Sequence, residues 1–240
     1  MRKKLFVITD IHGHLTLTRS ALKAAGYDVD DPSHLLVCCG DCFDRGDENY
    51  EVLRFFERIE NKVVLRGNHE DMLLKLFDGG RVLPHHYMNG TMRTLENFFG
   101  KYFMDPVTGM LDLESSNRTV DRICDFIAQT LDYYETENYV FVHGWLPPCE
   151  DSPEARRAVS SQSWERARWV KWTECYTGEA PLGGKTLVCG HMPTFYAGKY
   201  DGRSDDCADI FYGEGMIALD AGTYDSRQIN VLVIEDELTY

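Results

Sequence analysis

The stretch Leu35-Leu36-Val37-Cys38-Cys39-Gly40-Asp41-Cys42-Phe43-Asp44-Arg45-Gly46 decides how the rest of the chain is read. Its first five residues form the longest unbroken apolar run in the sequence. A run of that length without polar alternation, closed by glycine, reads as a short strand buried on both faces. Two aspartates and an arginine follow where that strand would end. In α/β folds, ligands collect outside the carboxyl ends of strands.

The same pattern recurs on either side. Apolar runs rich in β-branched residues at 5–9, 63–65, 139–142, 186–189, 216–219 and 229–234 end in polar residues or glycine, and each reads as a strand. Helical spacing lies between the early ones. Leu15, Leu22 and Ala25 share a face before Gly26 at a C-cap position. Val52, Phe55, Phe56 and Ile59 repeat the spacing, as do Ile123, Phe126, Ile127 and Leu131. Strands alternating with helices predict an α/β layered fold. From 79 to 118 the rhythm breaks into aromatic and glycine-rich pieces around a predicted helix at 91–99. This segment reads as an insertion capping the sheet edge of a single 1–240 domain. A second irregular segment, 145–184, carries a predicted helix at 163–173. There is no internal repeat or low-complexity tract.

Apolar residues make up 43% and charged residues 27% of the 240, a globular balance. Asp and Glu outnumber Lys and Arg by 39 to 25, for a net charge of −14. This argues against a partner held by general attraction to nucleic acid or anionic lipid. The longest apolar run is far short of the roughly 20 residues that span a bilayer. The N-terminus begins Met1-Arg2-Lys3-Lys4, but Asp10 interrupts the apolar part after Ile8, too soon for the ~7–15 residues of a secretory core. A cytoplasmic chain is expected, and its eight cysteines read as small buried apolar groups rather than disulfides.

Five strand ends carry chemistry. They lead into Asp10-Ile11-His12-Gly13, the quoted Gly40–Gly46 segment, Arg66-Gly67-Asn68-His69-Glu70, His143-Gly144-Trp145 and Gly190-His191-Met192-Pro193. Converging on one rim, they would join Asp10, His12, Asp41, Asn68, His143 and His191. Oxygen and nitrogen donors without thiolate suit borderline divalent ions such as manganese, iron or zinc. The neighbouring glycines permit tight turns and close backbone approach. Each piece alone has a structural explanation: Asn68 can cap a helix, and an Asp or His after a strand is commonly a satisfied polar residue. Their joint occurrence, in order, favours a metal site.

These motifs resemble those of the calcineurin-like metallophosphoesterases. The closest likeness is to the Ser/Thr phosphoprotein phosphatase branch and its small bacterial and phage members. The resemblance covers most of the chain, loosely over 80–135 and 146–184. It implies a β-sandwich of two mixed sheets flanked by helices, in four αββα layers, and two divalent ions, manganese first among them. By matched position, Asp10 and His12 would hold the first ion, Asp41 would bridge both, and Asn68, His143 and His191 would complete the second. Two ions about 3.5–4 Å apart can share a hydroxide and clamp phosphoryl oxygens during in-line attack, so no cysteine nucleophile is required. The resemblance also makes His69 the acid that protonates the leaving oxygen, oriented by Asp44. A carboxylate on one ring nitrogen fixes the tautomer and favours the protonated ring; the competing reading is a surface ion pair. Arg45 is the first candidate for binding phosphate, since a guanidinium grips two oxygens as a fork. The family's second arginine falls to Arg168 or Arg166, with Arg168 preferred because Trp169 could stack on it.

Other residues read as structural. His14 points elsewhere if the turn opens a helix. His85 and His86 read as exposed loop histidines, while Asn89-Gly90-Thr91 resembles a substrate-side loop of bacterial relatives. Cys39-Gly40-Asp41-Cys42 fits C-x-x-C, but the metal motif already explains its Gly-Asp core. Trp164, Trp169 and Trp172 read as helix packing, and Glu70 and Asp71 as acids in a helix's first turn. The expected function is metal-dependent hydrolysis of phosphomonoesters, of phosphoserine or phosphothreonine in a protein or peptide or of a small phosphoester. Dinucleoside polyphosphate hydrolysis is the alternative. A metal- or phosphate-binding module without turnover and a thiol-redox protein are the competing classes.

Overall fold

The computed structural model describes residues 2–113 and 117–238. Met1 of the basic N-terminus and residues 114–116 of the 79–118 segment lie outside them. The described residues form nine strands: β1 (Arg2–Ile8), β2 (His34–Cys38), β3 (Lys62–Val64), β4 (Tyr133–Glu135), β5 (Tyr139–Val142), β6 (Thr186–Cys189), β7 (Phe211–Gly213), β8 (Met216–Ala218) and β9 (Leu232–Glu237). One sheet has the order β3-β2-β1-β9 and the other β4-β5-β6-β8-β7. Within each, three strands run parallel, β1–β2–β3 and β5–β6–β8, while β9, β4 and β7 pair antiparallel.

Alternation along the strands builds four layers. Leu5, Val7, Leu35 and Val37 of the first sheet pack with Phe141, Val188, Ile217 and Leu219 from the second. The intervening Phe6, Ile8, Leu36 and Cys38 face the other way, against Leu22, Val52, Phe56, Ile123 and Phe126 of the flanking helices. On the far side, Val140, Val142, Leu187, Cys189, Met216 and Ala218 pack with Trp164, Trp172 and Tyr176. Successive side chains leave a strand on opposite faces, so strands covered on both sides must be apolar throughout. The result is an αββα sandwich. Each Leu, Ile or Phe so buried stabilises the fold by about 1.5–3 kcal/mol.

Helices occupy Leu15–Ala24, Asn49–Arg58, Thr91–Phe99 and Asn117–Ala128, near their predicted places. Several boundaries differ. The helix expected through Leu131 stops at Ala128, and Leu131 instead bridges to Leu65. The helix expected at 163–173 is two, Ser161–Ala167 and Trp172–Cys175, with the backbone between them turned inward against Gly144. β9 starts three residues after 229, because Asn230 gives its side-chain amide to the carbonyls of Ala208 and Leu219. The edge strands β4 and β7 are three residues each, too short to leave a periodicity.

In the 79–118 segment, Val82, Leu95 and Phe103 are buried in the same cluster as Phe6 and Leu36. Among the described residues no helix is long and apolar enough to cross a membrane. All eight cysteines are free thiols; Cys38, Cys39, Cys42 and Cys189 are buried, whereas Cys149 is exposed, contrary to its reading as a core group.

Candidate metal centre

The segments behind β1, β2, β3, β5 and β6 meet around Asp41. Its Oδ2 stands 3.7 Å from His12 Nε2 and 3.8 Å from His69 Nε2, and its Oδ1 3.4 Å from His143 Nε2. Two donor groups, His12–Asp41–His69 and Asp41–His143–His191, each hold their ligating atoms within 4.8 Å of one another. Asp41 belongs to both. Asp10 Oδ1 lies 3.9 Å from His12 Nε2, and Asn68 Oδ1 lies 2.9 Å from His143 Nε2. The structure therefore brings together Asp10, His12, Asp41, Asn68, His69, His143 and His191.

The backbone here is strained. Asp10, His12, Asp41, Asp44, Arg45 and His191 have φ between 43° and 74°, a region costly for any residue with a Cβ. Bonds between loops hold it. The amides of His12 and Gly13 donate to the carbonyls of Asp41 and Cys42, and Gly46 N donates back to His12 O. Glu70 goes beyond the helix-start role read from sequence: it accepts from the amides of Asp41 (3.0 Å), Gly67 (2.8 Å) and Cys42 (2.9 Å). A Cβ at Gly67 would fall 2.0 Å from Asp41 Oδ1, so only glycine admits this approach. Asp10 Oδ2 accepts from Thr9 Oγ1 at 2.5 Å and His191 N at 2.9 Å.

Backbone carbonyls also orient the rings. His12 Nδ1 is 2.9 Å from Phe43 O and His143 Nδ1 is 2.8 Å from Cys39 O. Each carbonyl takes an N–H, which aims the Nε2 lone pair into the cluster. His191 Nε2 lies 3.2 Å from Trp169 O, leaving Nδ1 for the cluster.

The imidazoles divide electrostatically. Burial first of all lowers His12 well below its ordinary range and His191 to about 4. These rings are neutral near pH 7 and keep a lone pair for a cation. Burial also opposes charge on His69, but Asp41 and the hydrogen-bonded Asp44 outweigh it and raise the ring to about 9. Its Nδ1 is 2.7 Å from Asp44 Oδ2, and both residues are buried, which excludes a surface ion pair.

The carboxyls divide as well. Burial pushes Asp41 up, but His143, His69, His12 and His191 outweigh it and hold the group well below the carboxylate range. Burial raises Asp10 and takes Glu70 to about 7. A cluster of buried carboxyls beside pre-aimed imidazoles, with one carboxylate between two donor groups, fits divalent cations.

Arg45 is half-buried at one edge of a cleft of about 710 Å³, lined also by Tyr87, Met88, Met92, Arg93 and Tyr224. Arg168 is buried and already engaged: Nε donates to Asp71 Oδ2 at 2.7 Å and Nη1 to Asp132 Oδ1 at 2.6 Å. Carboxylates therefore hold this guanidinium, where stacking on Trp169 was expected. Arg166 is exposed at the end of its helix. Trp164 stacks on Tyr133 and Trp172 on Phe211, while Trp169 is exposed and meets the His191 ring edge-on instead of packing in the core. His14 bonds to Ile11 O and faces Tyr224, outside both donor groups. His86 departs from its reading as an exposed loop residue: it is buried in the helix Pro84–Met88 and accepts from Leu83 N at 2.8 Å.

Asp220 was overlooked in the sequence. It is buried just past β8, with its carboxyl raised well above the ordinary range by burial and then by Asp10. The sequence carries its signal, since the 216–219 run ends in Asp220-Ala221-Gly222, the pattern of the five other strand ends. Thr91, read above only within a substrate-side loop, and Thr94, not singled out, both donate to Asp44, and their spacing of three on a predicted helix puts them on one face.

A family model described as calcineurin-like phosphoesterase matches residues 3–218. The chain is 29% identical over 204 residues to serine/threonine-protein phosphatase 2 of Salmonella typhimurium, covering 81% of this chain and 82% of that protein. It is 33% identical over 99 residues to an asymmetrical bis(5'-nucleosyl)-tetraphosphatase of Bacillus velezensis, a match spanning 38% of this chain and only 40% of the relative. A solved cold-active protein-tyrosine phosphatase of a psychrophilic Shewanella shares the fold, with a TM-score of 0.57 at 15% identity, over 99% of this chain and 80% of that one.

Proposed function

Because this chain belongs to the calcineurin-like phosphoesterases, we propose that it hydrolyses phosphomonoesters with two divalent ions, manganese first, and that phosphoserine or phosphothreonine in a protein or peptide is its substrate. The observation that carries this proposal is Asp41, one carboxylate common to two donor groups. Asp10, His12 and Asp41 would hold one ion, and Asp41, Asn68, His143 and His191 the other. Bound there, the ions supply Lewis acidity and an activated water.

The chain's own residues do the rest. Arg45, at the edge of the cleft, binds the phosphoryl oxygens as a fork. His69, protonated near neutral pH, falls within the first donor group by distance but lacks a free lone pair there, so it serves as acid rather than ligand. It gives its Nε2 proton to the leaving oxygen while Asp44 holds Nδ1. Arg168 and Arg166 are the weaker candidates for a second phosphate contact: one is already paired with two carboxylates and the other is exposed at the end of its helix. The 79–118 segment supplies one wall of the cleft. A cytoplasmic location belongs to the same proposal.

Tyr87, Tyr224 and Arg93 in that cleft favour a second reading, since they would suit the base and further phosphates of a dinucleoside polyphosphate. A panel of phosphopeptides, diadenosine tetraphosphate and p-nitrophenyl phosphate, assayed with manganese and after chelation, separates them. Turnover of phosphopeptide that EDTA abolishes and manganese restores is the expected result. Activity untouched by chelation sinks the metal reading, and faster turnover of the dinucleotide selects the second substrate.

A further inference from the structure

The helix Thr91–Phe99 lies in the segment read as a cap, yet one of its faces enters the catalytic constellation. Thr91 Oγ1 donates to Asp44 Oδ2 at 2.9 Å, and Thr94 Oγ1 donates to Asp44 Oδ1 at 2.6 Å. Thr94 Oγ1 in turn accepts from the amide of Asp44 at 2.9 Å. With His69 Nδ1 also on Oδ2, both oxygens of a fully buried carboxylate are occupied. Thr91 and Thr94 are themselves without solvent exposure.

The junction is built for close approach. Asp44 and Arg45 sit at φ 74° and 64°, and Arg45 N donates to Gly90 O at 3.3 Å. A Cβ at Gly90, itself at φ 79°, would meet Arg45 N at 2.6 Å. The neighbouring Met92, Arg93 and Glu96 line the cleft, so one short helix contacts the acid pair on one side and the substrate space on the other. A carboxylate free to rotate would let the imidazole swing, and a proton donor must stand within hydrogen-bond reach of the leaving oxygen.

We propose that Thr91 and Thr94 are positioning residues that act through Asp44 to hold His69 against the leaving oxygen, an inference that rests on the phosphoester reading above. The test uses the manganese-loaded full chain and two esters. An alkyl phosphate needs its leaving oxygen protonated, whereas p-nitrophenolate departs without a proton. Thr91→Val and Thr94→Val remove the hydroxyl at nearly constant shape; Thr91→Ser and Thr94→Ser retain it. Each valine variant is expected to lose at least about tenfold in kcat on the alkyl ester and much less on the aryl ester, with the serine variants within about twofold of wild type. Should Thr94→Val fail to fold, Thr91→Val, whose hydroxyl makes one of these bonds rather than two, carries the same comparison. Equal losses on both esters, equal losses in valine and serine variants, or no loss would overturn the inference alone. A wild-type chain inactive on both esters would overturn the underlying reading and this inference with it.

Discussion

Behind β1, β2 and β3 the donors are laced to one another: His12 N to Asp41 O, His69 N to Asp41 Oδ1, and Glu70 across the amides of Gly67, Asp41 and Cys42. Behind β5 and β6 the donors take their bearings from that first half. His143 Nδ1 rests on Cys39 O, and His191 N donates to Asp10 Oδ2. The first half is self-braced and the second leans on it, with the His191 ring alone also meeting a carbonyl of its own half, Trp169 O. Damage to the first should therefore reach both donor groups, whereas damage to the second should stay local.

The largest expected effect breaks that asymmetry at its centre. Asp41→Asn removes the charge common to both groups, so turnover should fall by about a thousandfold or more, and bound manganese per chain, measured by elemental analysis, should drop for both ions. His191→Ala touches one group and should leave one ion bound. Loss of both in His191→Ala would show the halves to be equally dependent.

Arg168 joins the halves, reaching from beside Trp169 to Asp71 on the helix Asn68–Gly79 and to Asp132. Arg168→Ala leaves buried Asp71 with the more distant Arg66 Nη1, at 3.9 Å. Truncating one partner of a buried pair is destabilising, so the change should cost up to about 3–5 kcal/mol in denaturant unfolding. A cost below about 1 kcal/mol, the range of surface pairs, would sever that link.

The smallest effect concerns the brace itself. Burial, then Asp41, raises Glu70 from its ordinary 4.5 to about 7. A carboxyl raised on folding leaves the stability intact below its unfolded pKa and erodes it as pH climbs through the folded one. In the metal-free chain, unfolding at a series of pH values should show wild type losing roughly 3 kcal/mol relative to Glu70→Gln between pH 4.5 and 7, at about 1.4 kcal/mol per unit. A flat difference across that window would mean that Glu70 folds ionised.

Much of the fold could be read because its signals are local. Residues 35–39 announce a strand covered on both faces, and the glycines beside Asp41 and Asn68 announce close backbone approach, since sterics at a glycine depend on little beyond its own turn. The candidate site was readable for the same reason, because each donor sits within a few residues of a strand end. Asp220 follows the same rule just past the end of β8. The break between Ala167 and Trp172 had no such signal, because what turns that backbone inward is the packing of 167–170 against Gly144.

The order of donors along the chain, their chemistry and the strands that carry them follow from sequence alone, because burial of apolar runs and the tolerance of glycine are properties of short segments. Which carboxylate each guanidinium meets, which imidazole stays protonated, and what Thr91 and Thr94 touch depend on contacts between residues far apart in the chain, 97 positions for Arg168 and Asp71 and 50 for Thr94 and Asp44. Those contacts set the local charge and dielectric, and only the folded packing supplies them.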